Sequence, residues 1–581
     1  MDGGSGNGLF SVGDSNVLTN SGNINVNEIV GGSGHGLSAA YYTTGGDFNT
    51  LTNSGNITVD GGSGDGLFAV GDGNVLINSG NINVNETRGG SGNGISAAYS
   101  SSGGDFNTVT NSGNIRVNGG SGHGLYASGF SNVLTNSGNI RVNGGYGHGL
   151  FSVGDSNVLT NSGNISVNET GGGNGHGLST GNYLGGDFNT LTNSGTVTVS
   201  GVDGNGMNAN GNSNTITNSG TVLSELAYSV SMTGTDATLN LLSGSVLSGK
   251  VDFSDLHTAT LNFGSGLNAA VTLSSEIPSS GFTITAPGPV TVLEDTVYVA
   301  DLGDVAAQNR VNTVATRMIH DAVASRGIVP AVTQGSSQPG TWASVSGGLV
   351  RNNGDANLSG YDGNVVSGSF GRDRLDGTST FGGVSLTQTK TDNGVATDAI
   401  GVHGGIYGQL AGADYTLSGG LGYLDTERER ANNMLASGLE TASDSYLSAF
   451  ISPAMTWHGV LGDNDSLRLR YTGTFYGSQS FDYEGEGDLE VESRITHQIE
   501  VRMAWARVIE TGTIRYGFDL GYQSDDAMDL TLAGQNLSAT TPGDAAYGRV
   551  FASMDFANAT VEASYDNNNE FGLTGSYSWR F

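Results

Sequence analysis

The chain has 581 residues, of which 98 are Gly, 7 are Pro and none is Cys, and its 21 basic and 54 acidic side chains give a formal charge of −33. Glycine without strict every-third-residue spacing excludes collagen, 36% hydrophobic content argues against simple disorder, and the lack of Cys excludes disulfides, Cys-ligated zinc and a thiol nucleophile. Residues 1–300 carry 20 acids and 4 bases (−16) and residues 301–581 carry 34 and 17 (−17), so no nucleic-acid partner is expected for either half.

No run of 18 apolar residues is present, so no transmembrane helix is predicted. The start Met1-Asp2-Gly3-Gly4 has neither a basic nor an apolar signal region, and Met1 falls inside a repeat unit, so a truncated start without its signal peptide is expected.

The tripeptide Asn-Ser-Gly begins at Asn20, Asn53, Asn78, Asn111, Asn136, Asn161, Asn193 and Asn218, at spacings of 25 or 32–33 residues. The short unit, Gly8 to Val26, holds three apolar or alternating runs separated by Gly, Asn and Asp, each a strand of minimal length. Longer units add seven or eight residues at constant points, as at Tyr41-Tyr42-Thr43-Thr44, which marks external loops. Three strands per turn predict a right-handed parallel β-helix over 1–224, with apolar side chains inward and Gly and Asn at corners of positive φ. The eight Asn residues of the Asn-Ser-Gly corners are expected to stack as an internal ladder at about 4.8 Å per rung. Residues 225–297 lose those corners but keep runs such as Ala259-Thr260-Leu261-Asn262-Phe263, and read as divergent rungs capping the solenoid.

Little in this half points to chemistry. Gly-Asp-Ser at 13–15 and 154–156 recurs at a repeat turn and drifts to Gly71-Asp72-Gly73, so a turn is favoured over a nucleophile. Gly61-Gly62-Ser63-Gly64-Asp65-Gly66-Leu67 approaches a calcium nonapeptide, but its equivalents carry Asn7, His35, Asn93 and His123 in place of Asp. His35, His123, His148 and His176 share that position, open to a stacked metal-binding or pH-sensing column or to a tolerant turn. The only bases are Arg88, Arg116, Arg141 and Lys250, and no Asp cluster with Lys or Arg suggests a glycan lyase. No catalytic, metal or cofactor residue is assigned.

Leu302 to Arg326 is the one convincing helix, with Val311, Val314, Ala315, Met318 and Ala322 on one face and Arg310, Arg317 and His320 elsewhere. It lies in a linker over 298–340. From Thr341 to Phe581 come twelve alternating segments, starting near 341, 361, 377, 396, 413, 443, 466, 493, 512, 545, 558 and 571. In the last, Phe571, Leu573, Gly575, Tyr577, Trp579 and Phe581 point one way and Gly572, Thr574, Ser576, Ser578 and Arg580 the other, as in a strand with lipid outside.

A β-helix, a short helix and a twelve-stranded antiparallel transmembrane β-barrel ending Tyr577-Ser578-Trp579-Arg580-Phe581 resembles a type V (monomeric) autotransporter, as do Trp342 and the Tyr565-Asp566 pair. The resemblance implies an all-β protein whose monomeric barrel sits in outer-membrane lipid, whose helix threads the lumen and whose passenger reaches the cell surface. It implies that Phe571, Leu573, Tyr577, Trp579 and Phe581 form the signal read by the barrel-assembly machinery, that periplasmic chaperones assist, and that 225–297 acts as an autochaperone. Self-cleavage at paired Asn is not supported, since Asn309 and Asn312 are not adjacent. The leading expectation is a non-enzymatic adhesin or aggregation factor with an unknown surface receptor or self-association as its partner. The alternatives are a passenger enzyme acting on protein or glycan, and a passive stalk.

Overall fold

The computed structural model describes residues 6–27, 32–39, 46–86, 90–97, 104–169, 173–181, 186–224, 226–253, 258–276, 281–325, 340–354, 359–374, 377–524, 527–540, 546–556 and 558–580. They form two compact units, one of residues 1–286, 292–298 and 431–440, the other of 287–291, 299–430 and 441–581.

Three parallel sheets build the first unit as a β-helix. One runs from Leu9–Ser11 to Val251–Asp252 with 10 strands, the next from Val17–Asn20 to Phe282–Thr285 with 11, and the third from Asn23–Asn27 to Val246–Ser248 with 9. Each strand pairs in register with its equivalent one rung on, so Leu18, Leu51, Leu76, Val109, Leu134 and Leu159 form one buried apolar column. Parallel strands with both faces shaped by neighbours need such stacking, because one rung alone buries almost nothing. Close rung approach is also why glycine occupies Gly36: a Cβ there would lie 2.4 Å from Ile57 Cγ2 and 2.5 Å from the Gly66 carbonyl.

The corners differ from the sequence expectation in one respect. Among the described residues of the solenoid no Asn has a positive φ. Gly13, Gly71, Gly129, Gly154 and Gly211 take positive φ as expected, and a second positive-φ column is Ser15, Phe48, Gly73, Phe106, Ser131, Ser156, Phe188 and Ser213, at φ 55–64°. Asn is used at corners for its side-chain amide rather than for backbone tolerance, and the stacked rungs hold even Phe in a conformation that β-carbons disfavour.

The second unit is a closed antiparallel barrel of twelve strands from Thr341–Asn352 to Glu570–Arg580. The first and last strands pair from Trp342↔Arg580 to Asn352↔Glu570, and Ala413–Asn432 pairs with Leu439–His458, so the ring has no free edge. Its alternation is inside out relative to a soluble protein. Leu349, Phe370, Ile400, Leu421, Leu447 and Trp579 are exposed, whereas Ser344, Ser418, Arg428, Arg470, Glu500 and Asp519 are buried. Only hydrocarbon outside makes that arrangement favourable, since each exposed Leu in water forgoes about 1.5–3 kcal/mol of burial. A separate four-stranded sheet, Gln479–Phe481, Leu489–Val491, Ala527–Leu532 and Gln535–Thr540, was not anticipated from the sequence.

The helix Gly303–Ser325 lies inside this barrel. Asp301 caps it by accepting the Gly303 N–H at 2.8 Å. Arg326, predicted as its last residue, lies outside the described residues.

Candidate functional site

The solenoid is organised by columns of polar side chains, each repeating one bond from rung to rung. In the Asn-Ser-Gly column, Asn20 Nδ2 donates to Asn53 Oδ1 at 2.8 Å, and the chain continues through Asn78, Asn111, Asn136, Asn161 and Asn193 to Asn218. Each of these amides also donates to the carbonyl two residues on, as Asn136 does to Gly138 at 3.1 Å. A second buried column lies four residues earlier, where the backbone N–H of Asn107 donates to Asn132 Oδ1 and that of Asn132 to Asn157 Oδ1, both at 2.8 Å. Sequence reasoning missed it, although Asn16, Asn49, Asn74, Asn107, Asn132, Asn157, Asn189 and Asn214 precede every Asn-Ser-Gly by the same interval.

The histidine position resolves into a third column. His35, His123, His148 and His176 each accept, at Nδ1, the backbone N–H of the next rung: Asp65, His148, His176 and Asn205 at 2.9, 3.0, 2.8 and 2.9 Å. Asn7, Asp65 and Asn93 do the same with Oδ1 toward His35, Asn93 and His123. The position therefore demands an acceptor bonded directly to Cγ, which His, Asn and Asp all supply. The imidazoles of His123, His148 and His176 stack with centroids 5.0 and 4.9 Å apart and nearly parallel planes. Rings aligned in that way direct their nitrogens along parallel lines, and their Nδ1 lone pairs are already engaged, so they do not converge on one ion. Among the described residues no group of three or more potential ligands gathers to hold a metal.

Because Nδ1 must accept, each ring carries its proton on Nε2 and is neutral. Burial lowers His35 and His123 from 6.5 to about 3 and His176 to about 4, and burial, together with the neighbouring His176 and His123 rings, holds His148 well below 6.5. Asp65 Oδ2 stands 3.4 Å from His35 Nδ1. Two glutamates behave oppositely: burial, with Asp65 nearby, pushes Glu86 up to about 8, and burial pushes Glu169 up to about 7.

A pH prediction follows from the signs. As pH falls below 6.5 the unfolded chain takes up protons that the folded histidine column refuses until about pH 3–4, so stability is lost. The glutamates contribute most below pH 4.5 and lose that contribution as pH rises through 7–8. A triple His123→Asn, His148→Asn, His176→Asn variant keeps the acceptors and leaves both glutamates in place. Its stability relative to the natural chain is expected to gain up to about 2 kcal/mol per replaced ring between pH 7 and pH 5. Urea unfolding followed by brief proteolysis at the two pH values measures this, and parallel pH dependence in both chains would contradict it.

The barrel lumen is divided between two chemistries that match the two faces of its helix. Ala307, Val311, Val314 and Met318 pack with Val350, Tyr361 and Val365, and further along Ile319, Ala322 and Val323 pack with Trp342, Phe381 and Tyr407. On the other side Arg317 pairs with Glu500, which also receives Arg470 at 3.2 Å and the Tyr547 hydroxyl at 2.8 Å. Asp304 takes Arg428 at 2.7 Å, Asp321 takes Arg468 at 2.6 Å, and Thr313 donates to Gln498 at 3.0 Å. Arg502 meets Glu562 at 2.6 Å and Asp519 at 3.2 Å, and Arg549 shares Asp519. Cavities beside the helix hold about 50 and 10 Å³, so it occupies the lumen as a fitted plug. Asn309 and Asn312 lie on this helix, with Asn312 donating to the Tyr476 hydroxyl.

On the final strand Phe571, Leu573, Tyr577 and Trp579 are all exposed on the outer face, with Tyr577 and Trp579 ring centroids 4.7 Å apart. Phe581 lies outside the described residues, as do Tyr41 and Tyr42, which the sequence predicts to lie in an external loop.

No family model matches the sequence, and no curated protein matches it. Among solved structures the chain is similar to the translocator domain of autotransporter NalP from Neisseria meningitidis, with 10% identity, coverage of 46% of this chain and 97% of that one, and a TM-score of 0.32. It is also similar to the transport unit of autotransporter AIDA-I from Escherichia coli, with 12% identity, 46% and 96% coverage and a TM-score of 0.27. A third is the COG4313 outer membrane channel from Pseudomonas putida F1, with 13% identity, 44% and 100% coverage and a TM-score of 0.30.

Proposed function

We propose that this chain is an autotransporter: its barrel spans a bacterial outer membrane, and the β-helix is presented at the cell surface as a non-enzymatic module for adhesion or self-association. The observation that carries this reading is the inside-out barrel closed around the helix that directly precedes it in sequence. A barrel whose own upstream segment fills its pore suits a domain through which the preceding chain has passed. The outward aromatics of the last strand support recognition by the barrel-assembly machinery, and periplasmic chaperones would hold the chain before insertion. The cofactor-free polar columns support a passenger that folds by adding rungs, which would draw the chain outward without a nucleotide. Export also suits a chain without Cys, which no oxidising compartment can lock by disulfides.

The test compares cells expressing the full chain with cells expressing residues 298–581 alone. External protease is expected to release solenoid fragments from intact cells, and only the full chain is expected to promote adherence or clumping. A solenoid protected from external protease would overturn the display reading. Equal adherence by both cell types would overturn the adhesive one.

A further inference from the structure

The outer face of the sheet from Asn23–Asn27 to Val246–Ser248 carries the solenoid's least expected charges. Its strands place Asn25, Thr58, Asn83, Arg116, Arg141, Ser166 and Thr198 in one in-register column. Two of the four bases of residues 1–300, in a region with 20 acids, therefore lie side by side on adjacent rungs. Both are exposed, and among the described residues neither has a carboxylate partner. At one-rung spacing, about 4.8 Å, two such charges repel by about 1 kcal/mol even in water. A chain so poor in bases gains nothing structural from stacking two of them.

The guanidinium groups are also oriented. Arg116 Nε donates to Asn118 Oδ1 at 2.9 Å and Arg141 Nε to Asn143 Oδ1 at 3.1 Å, which leaves the terminal nitrogens turned to solvent. Beside them lies a groove of about 600 Å³ that extends from the rung of Asn81 to that of Thr196, roughly 19 Å at the rung spacing. Its other wall is an exposed amide ladder in which Asn114 donates to Asn81, Asn139 to Asn114 and Asn164 to Asn139, all at 2.9 Å. Each of these amides has a second N–H and a further lone pair for a ligand.

We propose that this groove binds a linear carboxylated glycan, a polyuronate lying along the solenoid axis, with carboxylates on Arg116 and Arg141 and hydroxyls on the Asn ladder. The planar guanidinium fork matches a carboxylate in two-point fashion, and fixing it in advance lowers the entropy lost on binding. Uncharged donor and acceptor pairs repeated along a groove suit a polyhydroxyl chain. Ile82, Ile115, Ile140 and Ile165 at the floor of the groove are buried in the solenoid, so the side chains it offers are those of Asn, Arg, Ser and Thr, and its interior strands are paired on both sides, which leaves no edge for strand addition. This assignment rests on the surface-display reading above and names the ligand class for it.

The test uses cells displaying the full chain, with cells carrying the barrel alone as background, and fluorescent hexagalacturonate, maltohexaose and hexaglutamate as probes. The natural chain is expected to retain hexagalacturonate only. Arg116→Gln/Arg141→Gln is expected to lower that retention at least tenfold, and Arg116→Lys/Arg141→Lys to an intermediate level, with equal surface protein by protease shaving. The inference is overturned if the Gln variant binds unchanged, if maltohexaose or hexaglutamate binds as well, or if the natural chain does not exceed background. Adherence scored on the same cells separates the two failures. Adherent cells that ignore the uronate refute the ligand alone, and cells that bind it without adhering refute the adhesive role alone.

Discussion

Replacing Glu500 with Gln is expected to lower the temperature at which the detergent-extracted barrel unfolds by on the order of 10 °C, the equivalent of about 3–5 kcal/mol. The carboxylate is almost fully buried and faces two guanidiniums, Arg317 from the helix and Arg470 from the wall, together with the Tyr547 hydroxyl. Gln preserves shape and one acceptor but leaves two buried cations facing each other without a counter-charge. Tyr547→Phe removes a neutral hydroxyl that donates to Glu500 and accepts from Gln498 at 2.8 Å, and is expected to cost less, about 2 kcal/mol. The shift from the folded to the unfolded band on heating in SDS electrophoresis measures both. Similar small effects for the two variants would show that water reaches the cluster and screens it.

The second large effect is expected at Asn136→Ala, which should destabilise the solenoid by about 3 kcal/mol because two neighbouring rungs are left with buried unsatisfied amides. Asn136 receives a bond from Asn111 and gives one to Asn161, at 2.7 and 2.8 Å, with no exposure to solvent. Three residues on, Asn139 gives and receives bonds of the same kind at 2.9 Å, but on the exposed face. Water replaces what Asn139→Ala removes, so that change is expected to cost under about 1 kcal/mol. The pair separates the effect of burial from the effect of bond number. Urea concentrations giving half-maximal susceptibility to a short protease pulse provide the comparison, and equal losses would refute the distinction.

The architecture was legible because both halves repeat themselves. Spacings of 25 and 32–33 residues locate strands that are individually only three to six residues long, and alternation such as Phe571 to Trp579 reveals a strand that faces lipid. The four-stranded sheet was not legible because its first two strands have three residues each and flank Asp482, Glu484, Gly485, Glu486, Gly487 and Asp488, whose composition signals loop, while their partners lie about 40 residues further on. The lumen pairings escaped for a different reason. Arg317 and Glu500 are 183 positions apart, and only closure of the ring brings them together. At the histidine position the sequence left three readings open. The decisive fact, which ring nitrogen faces the next rung's N–H, depends on rotamer and rung offset rather than on residue identity.

The ladder bonds of the solenoid have the same length whether they join residues 25, 32 or 33 apart: Asn53 to Asn78, Asn161 to Asn193 and Asn78 to Asn111 are all 2.8 Å. From Asn20 to Asn218 each rung therefore offers its neighbours the same ladder contact, whether it belongs to a short or a long unit. For the gene this means that misaligned recombination between repeats can delete or duplicate a whole unit and still encode a continuous stack. Solenoid length is thus free to vary between descendants, and a foreign peptide spliced into one of the long units would be carried as cargo without disturbing its neighbours.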